Sequence, residues 1–158
     1  MRVMIREAKK EDLKKIYELD FDFLNYEAKI DSSLKRVNKE IRKYEIEFIN
    51  KKFKSRDAKI FIASLDSKLI GYCYGFIRKL DPNHKISPEG YLCNCFVSEK
   101  YRNKRVGKKL VEALIAWLKK KGAKRISLDI TEKNKNGIRF WKKLGFKPHP
   151  WKRMCLEI

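Results

Sequence analysis

Arg102, Lys104, Arg105 and Lys108 crowd around Gly107. They follow an apolar run, Tyr91 to Val97, and precede Leu110, Val111, Leu114, Ile115 and Leu118, whose spacing predicts a helix opening at Gly107. A strand, a basic turn and a helix start form a phosphate site in outline. The first amides of a helix have no partner inside it, and the helix dipole favours negative charge before the first turn. Gly107 lets the backbone approach a ligand closely, and the cations surround that point. The run also reads as a solvated helix cap.

These elements need a frame. At 158 residues the chain is one domain, 1–158, with enough length for a sizeable core. Val3 and Ile5 alternate in a first strand, and Glu11 and Asp12 start a helix with Leu13, Ile16, Tyr17 and Leu19 as its buried stripe. A second helix is predicted from about Asp31 or Ser32, carrying Leu34, Val37, Ile41, Tyr44 and Phe48. Lys59 to Leu65 and Leu69 to Leu80 read as a hairpin around Asp66, Ser67 and Lys68. After the Gly107 helix, with Gly122 at its C-terminal end, come a strand from Arg125 to Thr131, a short helix from Asn134 to Leu144 and a closing strand from Trp151 to Ile158. The order βααβββαβαβ is an α/β arrangement with a mixed central sheet flanked by helices.

The basic loop resembles the acyl-CoA-binding turn of the GCN5-related N-acetyltransferases, whose pattern is Arg or Gln, two residues, Gly, one residue, Gly or Ala. Arg102 and Gly107 match it, and Arg105 stands where the first Gly would be. Downstream, Asn134 and the run GIRFWKKLGF from Gly137 to Phe146 are similar to the family's Asn and its last helix ending in Leu-Gly-Phe. The resemblance covers essentially the whole chain. It implies a GNAT-like fold and acetyl-CoA as cofactor, with diphosphate on the amides of Asn103, Lys104, Arg105, Val106, Gly107 and Lys108, and pantetheine along the strand ending at Phe96 and Val97. It also implies a backbone amide near Val97 that stabilises developing oxyanion charge.

The implied reaction acetylates a primary amine on a peptide, a protein or a small molecule. Such an amine, with a pKa of about 10.4, must lose a proton before it attacks. The resemblance points to Asp129 first and Glu89 second as acceptor of that proton. Asp129, between Leu128 and Ile130, faces away from the core in an alternating strand. It reads equally as an exposed ion-pair partner. The usual tyrosine of the last helix is Trp141 here, whose indole donates a hydrogen bond but releases no proton at neutral pH. Tyr101, water or no group then protonates the leaving thiolate, and Trp141 reads as packing beside the cofactor. Asn134 suits either pantetheine binding or a helix cap. In the family the segment after the first helix edges the acceptor cleft. Here it carries Phe21, Asp22, Phe23 and Tyr26 with Asp20 and Glu27, a set that suits a cationic amine or simply a helix with a core face.

Composition sets further bounds. Cys73, Cys93, Cys95 and Cys155 sit in apolar runs without zinc-ligand spacing, so no metal is expected, and Cys93 and Cys95 should share one strand face. With no apolar run long enough to span a bilayer, the expectation is a cytoplasmic protein, monomeric or homodimeric, without a membrane partner. The first 47 residues hold 12 Lys or Arg against 11 Asp or Glu, so nearly all of the net charge of +20 lies beyond them. One nucleotide cofactor does not require so many cations. Association with nucleic acid or the ribosome is the competing expectation, in its strongest form a catalytically weak fold that binds RNA or another polyanion.

Overall fold

The computed structural model describes residues 3–151 and 153–158. Strand β1 (Met4–Glu7) leads through a 3-10 turn, Lys10–Asp12, into helix α1 (Leu13–Ile30). Asp12 ties this corner together. It accepts two bonds from the Arg6 guanidinium, at 2.7 and 2.9 Å, and one from the Lys9 amide at 2.7 Å. Helix α2 (Lys39–Lys54) starts later than the apolar spacing predicts, because Asn38 caps it by accepting from the Ile41 amide, while Asp31 ends α1 and holds Ser33 in a turn. Leu34 is left 45% exposed and Tyr44 63%, so the inward stripe is Ile41, Glu45, Phe48, Ile49 and Lys52 instead of the one read from sequence.

Strands β2 (Ala58–Leu65), β3 (Lys68–Arg78) and β4 (Glu89–Val97) follow as an antiparallel meander, and β5 (Arg125–Ser127) joins β4 in parallel. The sheet order is β1-β2-β3-β4-β5. Asp66 and Ser67, both with positive φ, make the two-residue turn whose twist matches a hairpin. Helix α3 (Val106–Lys120) covers one face of the sheet with Val106, Leu110, Val111, Leu114 and Leu118, joined by Phe140, Trp141 and Leu144 of the α4 region. Helices α1 and α2 cover the other with Ile16, Leu19 and Ile49 against Ile60, Ile62, Tyr72, Tyr74 and Phe96. The architecture is therefore α/β, a mixed five-stranded sheet between helices, with α4 (Lys135–Lys143) last. Gly122 and Gly145 end α3 and α4 at φ 87° and 91°.

Three expectations change. The predicted closing strand does not form among the described residues. Residue 151 and residues 153–158 lie in no strand, and Trp151, Met154 and Leu156 are more than four-fifths exposed, while Lys152 lies outside the described residues. The strand expected from Arg125 to Thr131 stops pairing at Ser127. Cys93 and Cys95 do not share a face. Tyr74 pairs with Asn94 and Gly75 with Leu92, which leaves Cys93 as an extra residue, a β-bulge. The bulge reverses the alternation, so Cys93 packs under α1 and α2 while Cys95 packs toward α3. Gly75 makes room for it, since a Cβ there would lie 2.5 Å from the Tyr91 carbonyl oxygen.

Candidate active site

The main opening follows from how little β5 pairs. Its ladder with β4 holds only Glu89 with Arg125, Gly90 with Ile126 and Tyr91 with Ser127. From Leu92 to Val97, β4 has no strand partner on that side among the described residues, so the backbone groups that face away from β3, apart from the Val97 carbonyl bonded by Arg102, are available to a ligand. Across the gap, Asp31 at the end of α1 accepts from Thr131 Oγ1 at 3.2 Å and Lys133 Nζ at 2.8 Å. The Lys133 bond first, then the two bonds from Ser33 and last the Thr131 bond hold the Asp31 carboxyl well below its ordinary range.

The free edge runs directly into the basic turn. Ser98 follows β4, Glu99–Tyr101 make a 3-10 turn, and α3 starts at Val106, one residue before the predicted Gly107. Asn103 and Arg105 adopt left-handed backbone, φ 59° and 61°. These reversals aim the first-turn amides of Val106, Gly107 and Lys108 out of the helix. Gly107 also admits α4, because a Cβ there would lie 3.3 Å from Phe140 Cζ. Lys104, Arg105 and Lys108 are exposed around this point. Arg102 is built in differently. Its Nε donates to the Val97 carbonyl at 2.9 Å, and its guanidinium lies over Tyr26 and Phe96, 4.7 and 5.2 Å from the ring centres. Left-handed backbone costs a non-glycine residue about 1 kcal/mol, so Arg105→Gly should raise the melting temperature by a few degrees. A thermal melt checks this.

The two sequence-predicted carboxylates have different surroundings. Glu89 is 2% exposed and is clamped by Arg125 Nε at 2.9 Å and by Arg78, 2.7 Å from Nε and 2.6 Å from its terminal nitrogen. Burial pushes its pKa up, but the bonds from Arg78, Arg125 and Ser127 outweigh that, and the net direction is downward. Asp129 is exposed beyond the end of β5 and accepts from the Tyr91 hydroxyl at 2.9 Å. Leu128 packs toward α3, while Tyr91 packs at a tilt against Phe76, which lies under Lys52 of α2. Asp129 therefore lies on the α1/α2 face of the sheet, next to the opening. Burial and the bond to Asp129 push the Tyr91 hydroxyl well above its usual pKa, so it stays a donor.

Asn134 caps α4, accepting from the Gly137 amide at 2.9 Å with its side-chain oxygen. Trp141 packs edge-on against Phe140 and Phe146, 4.8 and 5.4 Å between ring centres. The α1 candidates divide. Asp22 and Tyr26 line a cleft of about 480 Å³ with Asn25, Phe96, Ser98 and Arg102. Phe21 is buried beneath the Arg42 guanidinium, and Phe23 packs on Phe96. The structure adds Glu45, which sequence reading passed over. Burial first, and the charge of Asp20 second, push it up to about 7. Its only sequence mark is position, four residues after Ile41 and three before Phe48 on the apolar stripe.

The chain thus builds a five-stranded mixed sheet that parts between β4 and β5 beside a basic helix start. The sequence model of the Acetyltransferase (GNAT) family matches residues 10–146, and the chain belongs to that family. Among characterised relatives, a spermine/spermidine N(1)-acetyltransferase of Bacillus subtilis is 35% identical over 51% of this chain and 54% of its own length. An N-alpha-acetyltransferase of Sulfurisphaera tokodaii is 29% identical over 66% of this chain and 65% of its own. The chain thus matches between half and two thirds of the length of these relatives. Among solved structures, the aminoglycoside acetyltransferase AAC(6')-Iy with a CoA bisubstrate analogue superposes with a TM-score of 0.80 at 21% identity, covering 100% of this chain and 99% of that one. A tetramutant of the BH1408 protein from Bacillus halodurans gives 0.84 at 20%, covering 98% and 99%.

Proposed function

We propose that this chain is an acetyl-CoA-dependent N-acetyltransferase that acetylates a primary amine of a peptide, a protein or a small molecule. The observation that carries the reading is the continuity of the unpaired β4 edge, Leu92 to Val97, with the open amides and cations at the start of α3. A chain of amides ending in a diphosphate matches that sequence of groups, so the residues fit acetyl-CoA. Phe96 and Val97 then hold pantetheine through their backbone, and Asn103, Lys104, Arg105, Val106, Gly107 and Lys108 hold the diphosphate. Arg102 positions the turn through Val97. The Asn134 amide nitrogen is left over from the cap and would be free to bond the cofactor, with Trp141 as a packing wall. Bound acetyl-CoA supplies a thioester-activated acetyl group.

Asp129 receives the amine proton on this reading, oriented by the Tyr91 hydroxyl, and Glu89, locked by two arginines, braces β4 against β5 instead. Trp141 cannot release a proton, so Tyr101 or water protonates the departing thiolate, or nothing does. Phe21 and Phe23 shape the acceptor side from beneath, while Asp22 and Tyr26 line it. The relatives' names concern polyamines and α-amino groups, which supports a primary amine as acceptor. Four free cysteines support a cytoplasmic site, and among the described residues no helix is long and apolar enough to cross a membrane. The cationic surplus beyond residue 47 supports an added association with nucleic acid or the ribosome, by a monomer or a homodimer.

Acetyl-CoA should raise the melting temperature through preferential binding to the folded state. Lys108→Glu is the sharper variant than Arg102→Ala, because Arg102 also braces the fold. An acid in the first turn of α3 suits the helix dipole and leaves stability nearly unchanged, yet it repels a diphosphate. That variant should lose most of the acetyl-CoA shift. A wild-type protein unmoved by millimolar acetyl-CoA but bound to RNA with a steep salt dependence would replace this reading with the polyanion-binding one.

A further inference from the structure

We propose that Cys73 and Cys95, opposed across β3 and β4, are a redox pair: a small-molecule disulfide closes them into a cross-strand bond that weakens cofactor binding at the free β4 edge, and a thiol reopens it. The pair stands on strand geometry alone, while its effect on the cofactor rests on the acetyl-CoA reading.

Cys73 and Cys95 are direct partners in the antiparallel ladder. Such ladders alternate between rungs that exchange backbone hydrogen bonds and rungs that do not, and opposed Cα atoms come closest in the second kind, about 4.5 Å apart. The Ser98 amide donates to the Ile70 carbonyl at 2.9 Å, one rung beyond the Gly71–Val97 pair. Alternation from there makes Tyr72 with Phe96 a bonded rung and Cys73 with Cys95 a non-bonded one. A disulfide needs Cα atoms about 4.4–6.8 Å apart with side chains turned toward one another, and a rung of this kind supplies both. Both side chains lie on the α3 face, Cys73 buried in that core and Cys95 packed against it. Gly71 and Gly75 flank Cys73 on the same face, so no neighbouring β3 side chain wedges the strands apart. A Cβ on Gly71 would lie 2.8 Å from the Phe96 carbonyl oxygen, and one on Gly75 2.5 Å from that of Tyr91. Burial first, and the bond to Cys95 next, push the Cys73 thiol well above its usual range.

The other two cysteines are placed differently. Cys93, turned to the opposite face by the bulge, donates to the Tyr74 hydroxyl at 3.2 Å, and its neighbour Asn94 donates to the buried Asp20 carboxylate at 2.9 Å. Cys155 is exposed in the segment after α4. Cys95 is half-buried on the stretch of β4 that β5 leaves unpaired, so an oxidant reaches it before the buried Cys73.

With glutathione disulfide as oxidant, the Cys95 thiolate attacks one of its sulfurs, forms a mixed disulfide and releases one glutathione, which takes up the proton that Cys95 lost. Cys73 then attacks the Cys95 sulfur and expels the second glutathione, which carries away the Cys73 proton. Two protein thiols give up two electrons, and one disulfide becomes two thiols. The Cα atoms of a disulfide are most often roughly 5.5–6 Å apart, so closure pushes β4 outward by about 1 Å at Cys95. Phe96 and Val97, whose backbone holds pantetheine on the acetyl-CoA reading, are the next residues of that strand and move with it.

Protein carrying Cys155→Ser, kept for hours with glutathione disulfide and digested without reductant, tests the pair by mass spectrometry. A peptide linking Cys73 to Cys95 should appear, persist in Cys93→Ala, and vanish in Cys95→Ala and after dithiothreitol. Cys73→Ala serves in place of Cys95→Ala should the latter not fold. Calorimetric titration with acetyl-CoA should give a Kd roughly five- to thirtyfold weaker for oxidised than for reduced protein, the effect of losing one or two backbone hydrogen bonds. Dithiothreitol should restore the affinity, and Cys95→Ala should bind alike with or without glutathione disulfide. Glutathione left on Cys95 as a mixed disulfide, a link through Cys93, or no product would overturn the pair. Equal affinities of the oxidised and reduced forms would overturn the switch. A reduced protein that ignores acetyl-CoA yet forms the Cys73–Cys95 link keeps the pair and loses the acetyltransferase reading.

Discussion

Glu89→Ala should lower the melting temperature by roughly 6–12 °C, the largest loss of stability expected from a single substitution outside the apolar core. The carboxylate is buried and joins Arg78 on β3 to Arg125 on β5 across β4. Removing it leaves two guanidiniums facing one another. Breaking a buried pair costs about 3–5 kcal/mol, and the lower end applies because both arginines reach water. The pH dependence has a definite sign. The folded pKa lies below the ordinary glutamate value, so Glu89 contributes its stability above that value and loses it as pH falls through the folded pKa. Wild-type protein should therefore lose stability in acid faster than Glu89→Gln does. Melting curves from pH 3 to 7 check this, and parallel curves would show that the clamp does not contribute as argued.

Asp129→Asn should lower kcat by about 10² to 10⁴, the range for loss of a general base, while the KM for acetyl-CoA stays nearly constant. Asparagine keeps an acceptor for the Tyr91 hydroxyl, so the geometry survives while proton-accepting capacity is lost. Tyr91→Phe should cost less, since it frees the carboxylate without removing it. Kinetics of Asp129→Asn indistinguishable from wild type would take the residue out of the mechanism.

The α3 half of the site was legible because its signals are local. Five apolar residues at helical spacing, a Gly and four cations specify a helix start without knowledge of anything distant. Asn103 was readable for the same reason, as a residue type that tolerates left-handed backbone. The α1/α2 half was not. A bulge is one extra residue in a ladder and leaves no mark in composition, so strict alternation put Cys93 and Cys95 on one face and gave no hint that Asn94 reaches Asp20. Glu45 reads as a solvated acid until its helix is seen to turn that face inward. Residues 151–158 show the converse. Their apolar content suggests a strand, but a strand also needs a ladder partner. Glu89 reads from sequence as a possible base because sequence shows a carboxylate and hides two arginines, one 11 residues before it and one 36 after.

The short ladder between β4 and β5 also bears on how molecules come and go. Three rungs, the Glu89–Arg125 pair and the Tyr91–Asp129 bond join β4 to β5 and the loop after it, and the α1 end meets that loop through the bonds of Asp31 with Thr131 and Lys133. An exposed ion pair of that kind is worth about 0–1 kcal/mol, close to thermal energy. The α1 end can therefore lift from the loop after β5 and settle again at little cost. Opening on that scale would leave both packed faces of the sheet undisturbed.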